Sequence, residues 1–158
     1  MTKARKATTL TIITALMSTG IIVAHAAQER TTAPEIKPGK WEMTSTMTQS
    51  STTGQTTTNL PEQVNTTTQC VKKDNAVLYP EFFLPMGCSF TGATYTDNSM
   101  NVSASCGSAG VTMTGSVSAS IRDDGNTITS FTFLSGAIND NNAASMSVSS
   151  TATFKGSC

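Results

Sequence analysis

The chain is poor in the residues that most catalysts rely on. Its 158 residues include a single histidine, His25, and a single tryptophan, and only 13% are charged. His25 lies in an N-terminal stretch predicted to be removed, so the remaining chain has no imidazole. That excludes Ser–His–Asp and Cys–His chemistry and His-rich metal sites. No basic cluster is present, so there is no electrostatic footprint for nucleic acid. No Gly-rich loop precedes a helix, since Gly107 and Gly110 fall between predicted strands, and a phosphate cradle of that kind is absent. Carboxylates alone can do acid–base work, but here they are scattered or committed to turns. Asp123-Asp124 suit a tight turn, Glu42 is predicted on an outer face, and Glu35, Glu62, Glu81 and Asp140 are far apart in sequence. Asp140 with Asn139, Asn141 and Asn142 offers oxygen ligands, but the spacing fits no EF-hand. The chain is therefore expected to be no enzyme, and no cofactor or metal is called for.

The N-terminus carries an address. Lys3, Arg5 and Lys6 form a positive region, Thr8 to Val23 a mostly apolar one, and Ala24-His25-Ala26 a small-x-small cleavage pattern. This predicts a secretory signal peptide over residues 1–26, and hence a periplasmic or secreted protein. The apolar stretch is Thr- and Ser-rich and short for a span of about 20 residues, so no integral membrane segment is expected after cleavage. Loss of 26 residues leaves 132 and removes three basic groups, so seven Lys/Arg face ten Asp/Glu for a net charge of −3. Residues 27–37 are mostly polar and are expected to form a flexible leader. A single domain is expected over 38–158.

All four cysteines, Cys70, Cys88, Cys106 and Cys158, lie in the exported part. An even number in an oxidising compartment predicts two disulfides, and the spacings of 18, 18 and 52 match no zinc pattern.

What the domain has in abundance is alternation. In Val111-Thr-Met-Thr-Gly-Ser-Val-Ser-Ala-Ser-Ile121, apolar or small residues take the odd positions and hydroxyl or polar ones the even. That period of two marks a half-buried strand. Pro38-Gly39 predicts a turn into a first strand that buries Trp41 and Met43. Gln49 to Asn59 is nearly all Ser, Thr, Gln and Gly and is expected to be a mobile loop or a frayed hairpin end. Val64 to Val71 predicts a strand, and Lys72 to Tyr79 a short helical turn stopped by Pro80. Gly136 to Asn142 is expected to be a turn-rich loop. In the last strand Ala144, Met146, Val148, Ala152 and Phe154 point inward.

Register follows from parity. Cys88, Phe90, Gly92 and Thr94 share one face, as do Met100, Val102, Ala104 and Cys106. Opposed residues of an antiparallel pair point the same way, so facing pairs must sum to an even number. A three-residue loop, Thr96-Asp97-Asn98, satisfies this, and it sets Thr94 against Met100 and Cys88 against Cys106. A two-residue loop would set Phe90 against Ser105. A Cys88–Cys106 disulfide leaves Cys70–Cys158; the competing pattern is Cys70–Cys88 with Cys106–Cys158. Asp124-Gly125 predicts a type I′ hairpin pairing Ile121 with Ile128. Ile128, Ser130, Thr132 and Leu134 then point inward, and Phe131 and Phe133 outward unless a bulge returns them to the core. The expected fold is mainly β: a single antiparallel β-meander or curved sheet, or a small sandwich-like barrel, with one short helical turn and two disulfides.

The densest apolar patch is Tyr79, Phe82, Phe83, Leu84 and Met86, held around Pro80 and Pro85. It reads either as a plug for one end of the sheet or as a binding patch for a small lipophilic ligand. Phe131, Phe133 and the polar stretch Gln49–Asn59 are secondary candidates. An envelope protein meeting a sheet edge or the Ser/Thr face is the other expected kind of partner.

The order Pro38-Gly-Lys-Trp-Glu-Met43, Thr68-Gln-Cys70, Cys88-Ser-Phe90, Ser103-Ala-Ser-Cys106 and Phe154-Lys-Gly-Ser-Cys158 resembles the domain of unknown function 3617 family of exported bacterial proteins. The resemblance spans Pro38 to Cys158. It implies a periplasmic, mostly antiparallel β domain from a Gram-negative bacterium, and it carries over no activity and no catalytic residue.

Overall fold

The computed structural model describes residues 32–84, 87–108 and 111–158. The predicted signal peptide, Met86 of the apolar patch and part of the Gly107–Gly110 turn lie outside them. Alternating residues in the chain become eight antiparallel strands: β1 (Gly39–Thr53), β2 (Thr56–Asn59), β3 (Gln63–Val71), β4 (Cys88–Tyr95), β5 (Ser99–Ser108), β6 (Val111–Arg122), β7 (Thr127–Asn139) and β8 (Asn142–Gly156). They form one open sheet in the order β2-β1-β8-β7-β6-β5-β4, with β3 also paired to β1. β2 and β3 pair with different stretches of β1, β2 with Ser50–Thr53 and β3 with Gly39–Met47. The sheet is not closed, so of the expected architectures the single open sheet holds and the barrel does not.

The inner face carries the core. Trp41, Met100, Val102, Ala104, Val117, Ala119, Ile128, Leu134 and Ala152 are buried there. Ile36, Leu78, Phe83 and Leu84 belong to the same cluster, contributed by the segments that flank β1 and β3. The stretch read as the end of a flexible leader therefore differs from expectation. Pro34 and Ile36 are buried, Ile36 N–H donates to Ala76 O, and Leu78 N–H donates to Pro34 O. A lone apolar residue in a polar stretch shows no periodicity, but these bonds and the burial of Ile36 hold 34–37 against the domain. Two 3-10 turns, Lys73–Asn75 and Pro80–Phe82, replace the single helical turn expected. Pro80 opens the second turn rather than only stopping the first, since its fixed φ and missing N–H suit a first helical position.

Both disulfides are those favoured from register, Cys88–Cys106 and Cys70–Cys158. The loop between β4 and β5 is not. Tyr95 pairs with Met100, and Thr96 N–H donates to Ser99 O, so Asp97-Asn98 is a two-residue loop. The parity conflict is absorbed further down. The register shifts between Thr91 and Thr94, at Gly92 with φ 64°, and Cys88–Thr91 still pair in the expected register with Ser103–Cys106. A bulge with glycine in the left-handed region supplies the extra residue. The shift leaves Tyr95, not Thr94, opposite Met100.

At the β6–β7 hairpin the expected register holds, with Ile121 opposite Ile128 and Asn126 N–H donating to Asp123 O. The left-handed stretch is one residue longer than the type I′ turn expected: Asp123, Asp124 and Gly125 have φ of 53°, 52° and 80°. β7 then runs without a bulge beside β6, so Phe131 and Phe133 stay on the outer face, 50% and 46% exposed. At Gly115 a side chain has no room: a Cβ there would overlap the carbonyl of Phe133.

Of the two readings of Gln49–Asn59 the hairpin end holds and the mobile loop does not, and Gly136–Asn142, expected as a loop, is largely strand. Gln49–Asn59 forms the β1–β2 hairpin around Gly54, and Gly136–Asn142 extends β7 and β8 to a turn at Asp140-Asn141. Side-chain hydropathy gave no reason for either. Backbone pairing with β8 along Gln49–Thr53 supplies it, and Ser50–Ser145 and Thr52–Thr57 add hydroxyl pairs at 2.8 and 3.0 Å.

Candidate ligand groove

The inner face is not covered evenly. Over β3, β1 and β8 it opens into a groove of about 370 Å³, within the size range of small-molecule sites. Met47, Met146 and Val148 form the floor, Phe83 stands at one side, and Ser45, Gln63 and Asn65 supply polar groups. The alternation of β1 and β8 puts these residues on one face. Met47 is paired with Val148 and with Gln63, and Ser45 with Ser150 and with Asn65. Phe82 packs edge-to-face on Phe83 at 5.1 Å, which fixes the wall. Gln49 Nε2 lies 3.6 and 3.9 Å from the Met47 and Met146 sulfurs and holds the floor at its far end. Thioethers on unbranched stems adapt their shape to what they meet.

A polar track leads from the groove toward the core. Across the strands Asn65, Ser45, Ser150 and Ser130 form one row, and Gln63, Met47, Val148 and Thr132 the next. The Ser45 and Ser150 hydroxyls are hydrogen-bonded at 2.9 Å. Ser130 and Thr132 are 8% and 1% exposed, yet neither hydroxyl has a hydrogen-bond partner among the described residues. A buried hydroxyl left unpaired costs about 1–3 kcal/mol. Thr132→Val keeps the shape and removes that cost, so chemical denaturation of this variant is expected to show a gain of about 1–2 kcal/mol. A loss of stability would mean that the hydroxyl is satisfied in solution.

The apolar patch expected from sequence divides between two roles. Leu84 and Phe83 are buried in the core, and Phe83 also borders the groove. Tyr79 is half exposed and, with the partly buried Phe82, lines a separate recess of about 490 Å³ beside Cys70 and Val71. Met47, Met146, Val148, Ser45, Gln63 and Asn65 were not foreseen as site residues. Their one sequence signal is the inward parity of β1 and β8, which places Met47, Met146 and Val148 on the core face without showing that the cover stops short of them. Gln49–Asn59 contributes to a shallow outer recess, where Asn59 lies near Phe133 and Leu60. The carboxylates are dispersed over the surface. Glu42 pairs with Lys155 at 3.0 Å, and Asp123 and Asp124 sit in the β6–β7 hairpin turn.

Around the groove the chain has a four-cysteine framework, a first strand bearing Trp41, and a last strand, β8, followed by the terminal Cys158. A family model described as "Protein of unknown function (DUF3617)" matches residues 36–158, most of the chain. The chain belongs to this family. The match begins at Ile36, the first residue of the approach segment to join the core cluster. No curated protein and no solved structure matches the chain. Membership in DUF3617 assigns no reaction, and the fold and both disulfides are read from this chain's own structure. No helix among the described residues is long and apolar enough to cross a membrane.

Proposed function

We propose that this DUF3617 protein is an exported, non-catalytic binding module that holds a small lipophilic ligand with a hydrogen-bonding head in the inner-face groove. The groove itself carries the reading: an adaptable floor of Met47, Met146 and Val148 meets a polar row running from Asn65 to Ser130. Apolar sites with a few placed polar groups are the usual form of small-molecule pockets. Export is supported by the predicted signal peptide, and two disulfides suit an oxidising compartment.

Native mass spectrometry of protein purified from the periplasm tests both parts. The expected mass corresponds to a chain beginning at Ala27 with both disulfides formed and a small-molecule adduct. Val148→Lys places a charge on the floor and is expected to abolish the adduct while the far-ultraviolet spectrum stays that of the wild type. Protein that carries no adduct when purified from its own compartment, or an adduct indifferent to the charge, removes the groove as the site.

A second reading rests on the outer face. Phe131 and Phe133 project side by side from β7 among serines of β6 and β8. Such a pair suits contact with an envelope protein. Crosslinking in intact cells separates the readings, since a stable envelope complex lost in Phe131→Ser/Phe133→Ser favours this one.

A further inference from the structure

We infer that β3 is a docking edge for a second copy of this chain, paired antiparallel about a two-fold axis at Thr67. The inference goes beyond the groove reading and does not require the groove to be filled. β3 pairs only with β1 among the described strands, so its other edge is open. Exposed edges are normally blunted by charge, proline, a bulge or brevity. β3 has none of these. Its nine residues, Gln63 to Val71, include no charge, proline or glycine, and its register with β1 has no shift. Every residue from Gln63 to Cys70 is exposed. The opposite edge differs in that β4 is broken by the bulge at Gly92; each of these edge strands carries one disulfided cysteine, Cys88 in β4 and Cys70 in β3.

The charges beside β3 say what the edge fits. Glu62 precedes it and Lys72 follows it, both exposed. A two-fold axis at Thr67 sets Thr66 against Thr68, Asn65 against Gln69 and Val64 against Cys70 of the second copy. It also brings Glu62, just before the strand, opposite Lys72, just after it, at both ends of the pairing. Neither residue makes an ion pair among the described residues. Antiparallel pairing of one strand with itself is an isologous contact that closes at two copies. The face rule also brings Gln69 of the second copy beside Asn65, at the rim of the groove, so the dimer would complete that rim.

Sedimentation velocity of the processed protein over a micromolar dilution series tests the pairing. The expected result is a monomer–dimer equilibrium. Thr67→Lys opposes a charge to itself across the axis and is expected to leave only monomer. Lys72→Glu sets two glutamates together at each end and is expected to weaken the dimer roughly tenfold. Glu62→Lys/Lys72→Glu restores opposite charges in the same register and is expected to recover the wild-type dissociation constant. Each variant is checked for both disulfides and an unchanged thermal transition; should Thr67→Lys fail that check, the charge-swap series decides alone. A wild-type monomer at every concentration, a dimer indifferent to these substitutions, or a double variant no tighter than Lys72→Glu overturns the proposal.

Discussion

Replacing both Cys70 and Cys158 with serine is expected to lower stability by about 4–5 kcal/mol, the largest effect of any change outside the core. The bridge spans 88 residues of sequence and joins the end of β3 to the chain terminus beyond β8. Opening it releases an unfolded chain that was held in a long loop, and the loop-entropy account makes that release larger as the loop lengthens. The same account gives about 3 kcal/mol for Cys88–Cys106, whose separation is 18. The two serine pairs should therefore differ in a definite order, with Cys88→Ser/Cys106→Ser the milder. For a domain of this size the larger loss corresponds to a fall in Tm of roughly 15–25 °C. Calorimetry of the two double variants checks the ranking. An equal loss in both, or a larger one from the short bridge, would place the stabilisation in native-state contacts rather than in the restrained unfolded chain.

Much of this fold can be read from alternation alone, because a strand's period of two exposes every second residue to the core. The inward sets of β5 to β8 and the facing of Cys88 and Cys106 follow from it; the β6–β7 turn is read from Asp124-Gly125, and Cys70–Cys158 by elimination. The β4–β5 loop shows where parity stops being sufficient. An even sum can be met by a three-residue loop or by a two-residue loop plus a bulge, and hydropathy does not separate them. Gly92, free to take positive φ, selects the second. The strand character of Gln49–Thr53 was hidden for another reason: its pairing is supplied by β8, nearly a hundred residues away, while its own side chains are uniformly polar. The groove was hidden most deeply. It exists because the Leu78–Leu84 segment covers part of the inner face and leaves Met47, Met146 and Val148 beside it, and no local pattern states where a cover ends.

A sheet so rich in serine and threonine places its stability in few side chains. Ser45, Ser130, Thr132 and Ser150 all occupy inner-face positions that larger apolar residues could fill. The buried apolar side chains of the sheet lie mainly on β5 to β8, Trp41 and Ile36 join the same cluster from the β1 end, and the unpaired hydroxyls of Ser130 and Thr132 lie toward the groove. That distribution suits a protein whose inner face is partly reserved for something other than its own packing.

Trp41 anchors the approach segment to the sheet, and Trp41→Ala is expected to cost about 3–5 kcal/mol. The side chain is fully buried, its ring meets Phe154 edge-on at 5.5 Å, and its Nε1–H donates to Lys37 O at 2.9 Å. It thus ties β1, β8 and the Pro34–Lys37 approach together. Alanine removes both contacts and leaves a cavity where the approach segment meets the sheet. Trp41→Phe keeps a ring for Phe154 and loses the bond to Lys37, so its cost should be smaller, about 1–3 kcal/mol. Because Trp41 is the only tryptophan, its fluorescence follows the wild-type transition, and circular dichroism must follow the variants. Hydrogen exchange adds a readout of place: in Trp41→Ala the Ile36 and Leu78 amides, bonded to Ala76 and Pro34, should lose protection before those of β6 and β7. Uniform loss across the sheet would mean that the approach segment and the strands unfold as one unit.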